Sequence, residues 1–110
     1  MGVTVERAKG GLCRIAVEGE MTIYTALELK DQLLAPLEKC SRVELNLGAV
    51  SEIDSAGLQL LVLVKTEAQA HDKDLSITDH SPAVLDILDL CDLEGFFGDT
   101  VLVHVAEPTP

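Results

Sequence analysis

The hydrophobic pattern changes period abruptly at residue 54. Before it, Val43, Leu45 and Leu47 alternate with Glu44 and Asn46, the two-residue period of a strand with one buried face. After it, from Ala56 to about His71, the period is helical. The first half of that stretch is apolar nearly all round, with Leu58, Leu60, Leu61, Val62, Leu63 and Val64. A helix with so little polar face must be buried on more than one side. A strand feeding such a helix calls for stacked layers of sheet and helix around one core.

The remaining segments repeat the alternation. Val3 and Val5 predict a first strand, Gly10-Gly11 a tight turn, and Cys13, Ile15 and Val17 a second strand antiparallel to the first, ending at Gly19-Glu20. Residues 25–38 read as a helix, with Ala26, Leu29, Leu33 and Leu37 on one face and Thr22 or Thr25 as cap. Pro36 predicts a distorted or early last turn. Residues 48–53 read as a loop and Leu75–Thr78 as a strand. Ser81-Pro82 opens a short helix to about Leu90. Gly95-Phe96-Phe97-Gly98 reads as a turn, and Val101, Val103 and Val105 as a last strand. The predicted fold is a single α/β domain of order β-β-α-β-α-β-α-β. Its sheet is mixed but mostly parallel, with the helices packed on it. The core spans about residues 3–105, and residues 106–110 form a frayed tail.

Composition narrows the function. The only aromatics are Tyr24, Phe96 and Phe97, so the core is aliphatic. The net charge of −11 disfavours nucleic acid and anionic membrane surfaces. That charge is uneven: residues 74–110 carry eight carboxylates and no Lys or Arg. Such a surface keeps a protein soluble, and it can also steer a basic partner. Cys13, Cys40 and Cys91 are odd in number, widely spaced and not preceded by a signal peptide, which suggests reduced thiols and a cytoplasmic location. No apolar run is long enough for a membrane span, and no pattern calls for a metal or cofactor.

The segment that carries chemistry is Ile53-Asp54-Ser55-Ala56-Gly57-Leu58. Asp54 is placed to cap the helix, which leaves Ser55 as the first helical residue with its hydroxyl at the solvent end. Gly57 costs about 1 kcal/mol against Ala in a helix. It makes sense there if another backbone or a partner approaches closely. A helix N-terminus favours an added phosphate through its free amides and dipole, so Ser55 is a suitable phospho-acceptor. On spacing alone, the same Asp-Ser pair is also explained as a plain helix cap.

These residues, between an alternating strand and an apolar helix, resemble the signature of the STAS domain, the sulfate-transporter and anti-sigma-factor-antagonist family. Gly19-Glu20-Met21-Thr22 and Leu90-Cys91-Asp92-Leu93 are similar to further landmarks of the family. The resemblance covers roughly residues 3–105. It implies a sheet flanked by helices and a partner that is a serine kinase of the anti-sigma-factor type or a related switch protein. It implies phosphorylation of Ser55 by that kinase, which releases the complex, and reversal by a phosphatase. It also places Thr22, Asp54, Ser55, Gly57, Leu58 and, more weakly, Leu61 at the partner surface. Many members carry Asp where this chain has Thr22 and Gly near Cys91. The Gly-Glu-Met-Thr-Ile-Tyr-Thr version resembles members from bacterial signalling and chemotaxis.

Other readings are weaker in residues. A receiver domain could use Asp54 as acceptor, but it needs an acidic pair after the first strand and a late Lys. The chain has Glu6 alone near the first strand and no Lys beyond Lys73. A serine hydrolase would need Gly where Ile53 stands, and a base from His71, His80 or His104. A STAS module serving as an unphosphorylated subunit of a transport, chemotaxis or stress complex fits the same residues. Oligomeric state is not encoded in any of these patterns.

Overall fold

The computed structural model describes residues 2–91. Four strands, β1 (Gly2–Arg7), β2 (Leu12–Met21), β3 (Arg42–Ile53) and β4 (Asp74–His80), form one sheet in sequential order among the described residues. β1 pairs antiparallel with β2, whereas β2–β3 and β3–β4 are parallel. Helices α1 (Ala26–Lys39), α2 (Ser55–Ala70) and α3 (Pro82–Leu90) follow β2, β3 and β4. This is the predicted mixed sheet and element order as far as β4 and α3. The expected Gly95–Gly98 turn and the strand at 101–105 lie outside the described residues.

One sheet face carries the core. Cys13, Ile15 and Val17 from β2, Val43, Leu45 and Leu47 from β3, and Leu75 and Ile77 from β4 are all buried on it. α1 adds Leu29, Leu33 and Leu37, and α3 adds Val84 and Leu88 to the same apolar cluster. α2 contributes Leu58, Leu60, Leu61, Val64 and Ala68, with Val62 and Leu63 half-buried against the cluster, so it is covered on more than one side as expected. Each such aliphatic side chain contributes roughly 1.5–3 kcal/mol by leaving water. The opposite sheet face is polar: Arg14 donates to Glu44 at 3.1 Å there, beside Thr4, Asn46 and Thr78.

Three local expectations change. β3 does not stop at Leu47 but runs on to Ile53, and β2 runs past Gly19 to Met21. The two extensions pair with each other: Glu18, Gly19, Glu20 and Met21 face Ala49, Val50, Glu52 and Ile53 across register shifts. Gly19, at φ 99°, accommodates the shift. α1 also continues through Pro36 to Lys39. The ring is buried, and the amide it lacks would have bonded only the carbonyl of Gln32, on an exposed residue.

The third change concerns the cysteines, read from sequence as reduced thiols. Cys13 on the inner face of β2 and Cys40 at the C-terminal cap of α1 are joined in a disulfide, with Cα atoms 6.0 Å apart. Their separation of 27 residues hides this meeting, which the packing of α1 across the sheet creates. Cys91 is free and exposed. Among the described residues, no helix is long and apolar enough to cross a membrane.

Candidate functional site

β2 and β3 are parallel neighbours, so the segments leaving their C-terminal ends emerge side by side. In open α/β sheets that edge is where ligands and partners are met. The first segment runs from Thr22 to Thr25 and leads into α1. The second is Asp54, which leads into α2 at Ser55.

Asp54 joins the two. Its backbone is extended (φ −117°, ψ −171°), as the N-cap position requires. Its Oδ1 accepts hydrogen bonds from the amides of Ala56 at 3.0 Å and Gly57 at 3.1 Å. Its Oδ2 accepts from the amide of Ile23 at 3.0 Å, thirty-one residues away in sequence. The Gly57 and Ile23 amides, and then that of Ala56, hold the carboxyl below the usual carboxylate range, against an opposing effect of desolvation. The Asp54 amide itself donates to the Met21 carbonyl at 3.2 Å. One residue therefore caps α2, clasps the 22–25 turn and ties both to the end of β2.

The clasp fixes Ser55. This residue is exposed, at the first position of α2. Its hydroxyl is available to another protein, as a phospho-acceptor must be. Contrary to the expectation of free amides at this helix start, those of Ala56 and Gly57 are not open to a phosphate, because Asp54 already occupies them. An added phosphate would meet the helix dipole and, next to it, a carboxylate. Its effect would be felt at the surface rather than as a tighter cap.

Gly57 is buried against β2. A Cβ there would overlap the Met21 carbonyl oxygen and stand 2.9 Å from Ile53 Cγ1. The close approach expected at this glycine is thus made by the chain's own backbone, and Gly57 does not line an open surface. Leu58 (8% exposed) and Leu61 (1%) point into the core, so the helical face they share is turned inward. Thr22 is also buried, at 9%. Its Oγ1 accepts from the Tyr24 amide at 3.3 Å, and its carbonyl accepts from the amides of Thr25 and Ala26 at 2.9 and 2.8 Å. Thr25 Oγ1 accepts from the Thr22 amide at 3.0 Å and donates to the Glu20 carbonyl at 2.9 Å. Both threonines shape the turn. Of the six residues expected at the surface, Ser55 is exposed and Asp54 half-buried, while the other four are buried.

The residues that sequence reasoning missed stand beside this clasp. Ile23 is 68% exposed, Tyr24 90% and Leu27 82%. The available signal was Leu27, which falls off the Leu29–Leu33–Leu37 stripe of α1. A shallow hollow of about 380 Å³, lined by Thr22, Ile53, Asp54 and Ala83 among others, lies at the same edge. The histidine nearest in sequence to Ser55, His71, caps the far end of α2 and pairs with Glu67 at 3.5 Å. Sixteen residues of helix put it about 24 Å from Ser55, out of reach as a base.

Comparison with known proteins places this geometry. The family model described as "Mlab, STAS domain" matches residues 4–104. An anti-sigma-B factor antagonist of Staphylococcus epidermidis is 34% identical over 97 residues, covering 86% of this chain and 83% of the relative. The structure of the anti-sigma factor antagonist SpoIIAA in its unphosphorylated form superposes with a TM-score of 0.72 at 16% identity, over 99% of this chain and 100% of that one. The phosphorylated form of the Bacillus SpoIIAA superposes with a TM-score of 0.68 at 16% identity, over 87% of each chain. These two likenesses establish a shared fold. With the family model spanning nearly its whole length, the chain belongs to the STAS domain family.

Proposed function

We propose that the chain is a regulatory protein-binding switch rather than an enzyme, acting as an anti-sigma factor antagonist or a close functional equivalent. Its partner is a serine kinase of the anti-sigma-factor type, or a related switch protein. That kinase phosphorylates Ser55 and so dissolves the complex, and a phosphatase restores it. The observation that carries this reading is the exposed Ser55 hydroxyl, held at the first position of α2 by the Asp54 clasp. Support comes from the 34% identical relative, which is an anti-sigma-B factor antagonist, and from SpoIIAA, which shares the fold and exists in phosphorylated and unphosphorylated forms.

The physical basis is local. A phosphate adds roughly −1.5 to −2 charges. At an exposed residue with no core contacts to break, that charge leaves the fold intact and changes only what can be docked on it. The test is partner capture from source cells with wild type, Ser55→Ala and Ser55→Asp. Capture by the first two and not by the third is expected. Equal capture by all three would refute the switch and favour the reading as an unphosphorylated subunit of a larger transport, chemotaxis or stress complex.

A further inference from the structure

Five large hydrophobic side chains stand exposed among the described residues, and three of them, Ile23, Tyr24 and Leu27, fall within five positions of one another. Ile23 and Tyr24 lie in the turn before α1, and Leu27 is in its first helical turn, four and three residues further on, so the three are gathered at the helix start. Exposing this much apolar surface has no benefit for the monomer, and a clustered apolar patch marks a place where something docks. The backbone of the turn is held, because the Ile23 amide donates to Asp54 and the Tyr24 amide to Thr22. An aromatic side chain displayed on a held backbone is the residue type that most often anchors a protein interface.

The surroundings select the occupant. Glu20, Glu28, Asp31, Glu52 and Asp54 lie on the same segments or at their register neighbours, with Lys30 the one base among them. A second copy of this chain would bring the same acidic rim, and an anionic bilayer would likewise be repelled. We infer that Ile23, Tyr24 and Leu27 form the apolar anchor of the partner interface, and that the partner is a protein presenting an apolar recess edged by Lys and Arg. The inference rests on the switch reading for the partner's identity, but not for the location of the surface.

This arrangement also explains how phosphorylation could release such a partner. A phosphate on an acidic surface strengthens attraction to a basic one. Release therefore requires that Ser55 lie under the dry part of the contact, where a charge cannot be desolvated cheaply. The apolar anchor beside the clasp provides that dry contact. Charge on the rim sets the approach, and the anchor makes residue 55 intolerant of an added charge.

The test uses the full chain in its source cell, with the photocrosslinker benzoylphenylalanine in place of Tyr24. The same substitution at Val5, another exposed hydrophobe, located beside the C-terminal end of α1, serves as control. Irradiation should give a covalent adduct to another protein from position 24 and not from position 5. With that protein identified by mass spectrometry and purified, Tyr24→Ala and Leu27→Ser should each weaken its binding about tenfold or more, and Val5→Ser less than about twofold. Raising salt from about 50 to about 500 mM should weaken the wild-type complex. Adducts to a second copy or to lipid, equal adducts from both positions, no protein adduct from position 24, or unchanged affinity of the Tyr24 and Leu27 variants would each overturn the inference. Ser55→Asp separates the two readings. Binding lost with Tyr24→Ala but kept with Ser55→Asp sustains the anchor and refutes the switch, and the reverse pattern refutes the anchor alone.

Discussion

Gly57→Ala should destabilise this domain, although helix propensity gives the opposite sign. In an open helix the exchange would gain about 1 kcal/mol. Here the new methyl would overlap the Met21 carbonyl oxygen and crowd Ile53 Cγ1 and the Met21 carbonyl carbon, each 2.9 Å away. The Ile53 side chain can rotate aside. The Met21 carbonyl cannot move freely, because it accepts the Asp54 amide at 3.2 Å and ends a strand paired with β3. The first turn of α2 must therefore shift outward by roughly 1.5 Å to reach ordinary contact. Forcing a methyl into a filled site costs about 1–3 kcal/mol. The same shift stretches the bonds from Ala56 and Gly57 to Asp54, whose lengths of 3.0 and 3.1 Å leave little slack. Because the clash is with a backbone carbonyl, the cost falls at the upper end of that range, and set against the propensity gain of about 1 kcal/mol it leaves a net loss of about 2 kcal/mol, or roughly 10 °C in Tm for a domain this size. Urea unfolding followed by far-UV circular dichroism measures it, with Ser55→Ala as a neighbour that should stay within about 0.5 kcal/mol of wild type. A Gly57→Ala protein as stable as wild type, or more so, would mean that α2 and β2 are not in contact here.

Further predictions concern the core, the clasp and the cysteines. Leu61→Ala should cost about 2–5 kcal/mol in chemical denaturation, as expected for a residue 1% exposed, and a loss within about 0.5 kcal/mol would return it to the surface. Asp54 has a lowered folded pKa, so its contribution to stability is present above the unfolded value of about 3.9 and disappears as pH falls through the folded value. The difference in urea midpoint between wild type and Asp54→Asn should accordingly be constant above about pH 5 and shrink below about pH 4; a difference unchanged down to about pH 2 would contradict the clasp. Alkylation of the unreduced protein should modify Cys91 alone, and all three cysteines should react after reduction and unfolding. With a sequence separation of 27 between the joined cysteines, reduction should lower stability by about 3.5 kcal/mol.

What was legible in the sequence depended on whether its cause was local. Asp54 as a cap follows from residue type and position, and it is one in the structure. The bond from Asp54 to the Ile23 amide has no local signal, since it exists only because β2 and β3 are neighbours. Gly57 announced a close approach but not to what, and the answer is the backbone of β2. The ends of β2 and β3 lack a local signal for the same reason. Neither 18–21 nor 48–53 alternates well, and each is a strand because the other pairs with it. The apolar period of α2 predicts burial, whereas the family resemblance implies a place at the partner surface for Leu58 and, more weakly, Leu61. Leu58 and Leu61 cannot serve both purposes, and packing decides for the core. The exposed trio escaped notice because three hydrophobes near a helix start look like core until the helix is seen with its other face buried.

The sequential strand order gives the molecule two distinct ends. The turns opposite Ser55 are zipped to one another: the Ser41 amide donates to the Gly11 carbonyl at 2.9 Å, and the Asp74 amide to the Ser41 carbonyl at 3.0 Å. Asp72, exposed in the turn after α2, lies at that end with the length of the helix between it and Ser55. A linker or dye attached at residue 72 would hold the molecule by its handle. Immobilised on a bead or sensor chip in that way, every copy would turn the Ser55 end toward solution.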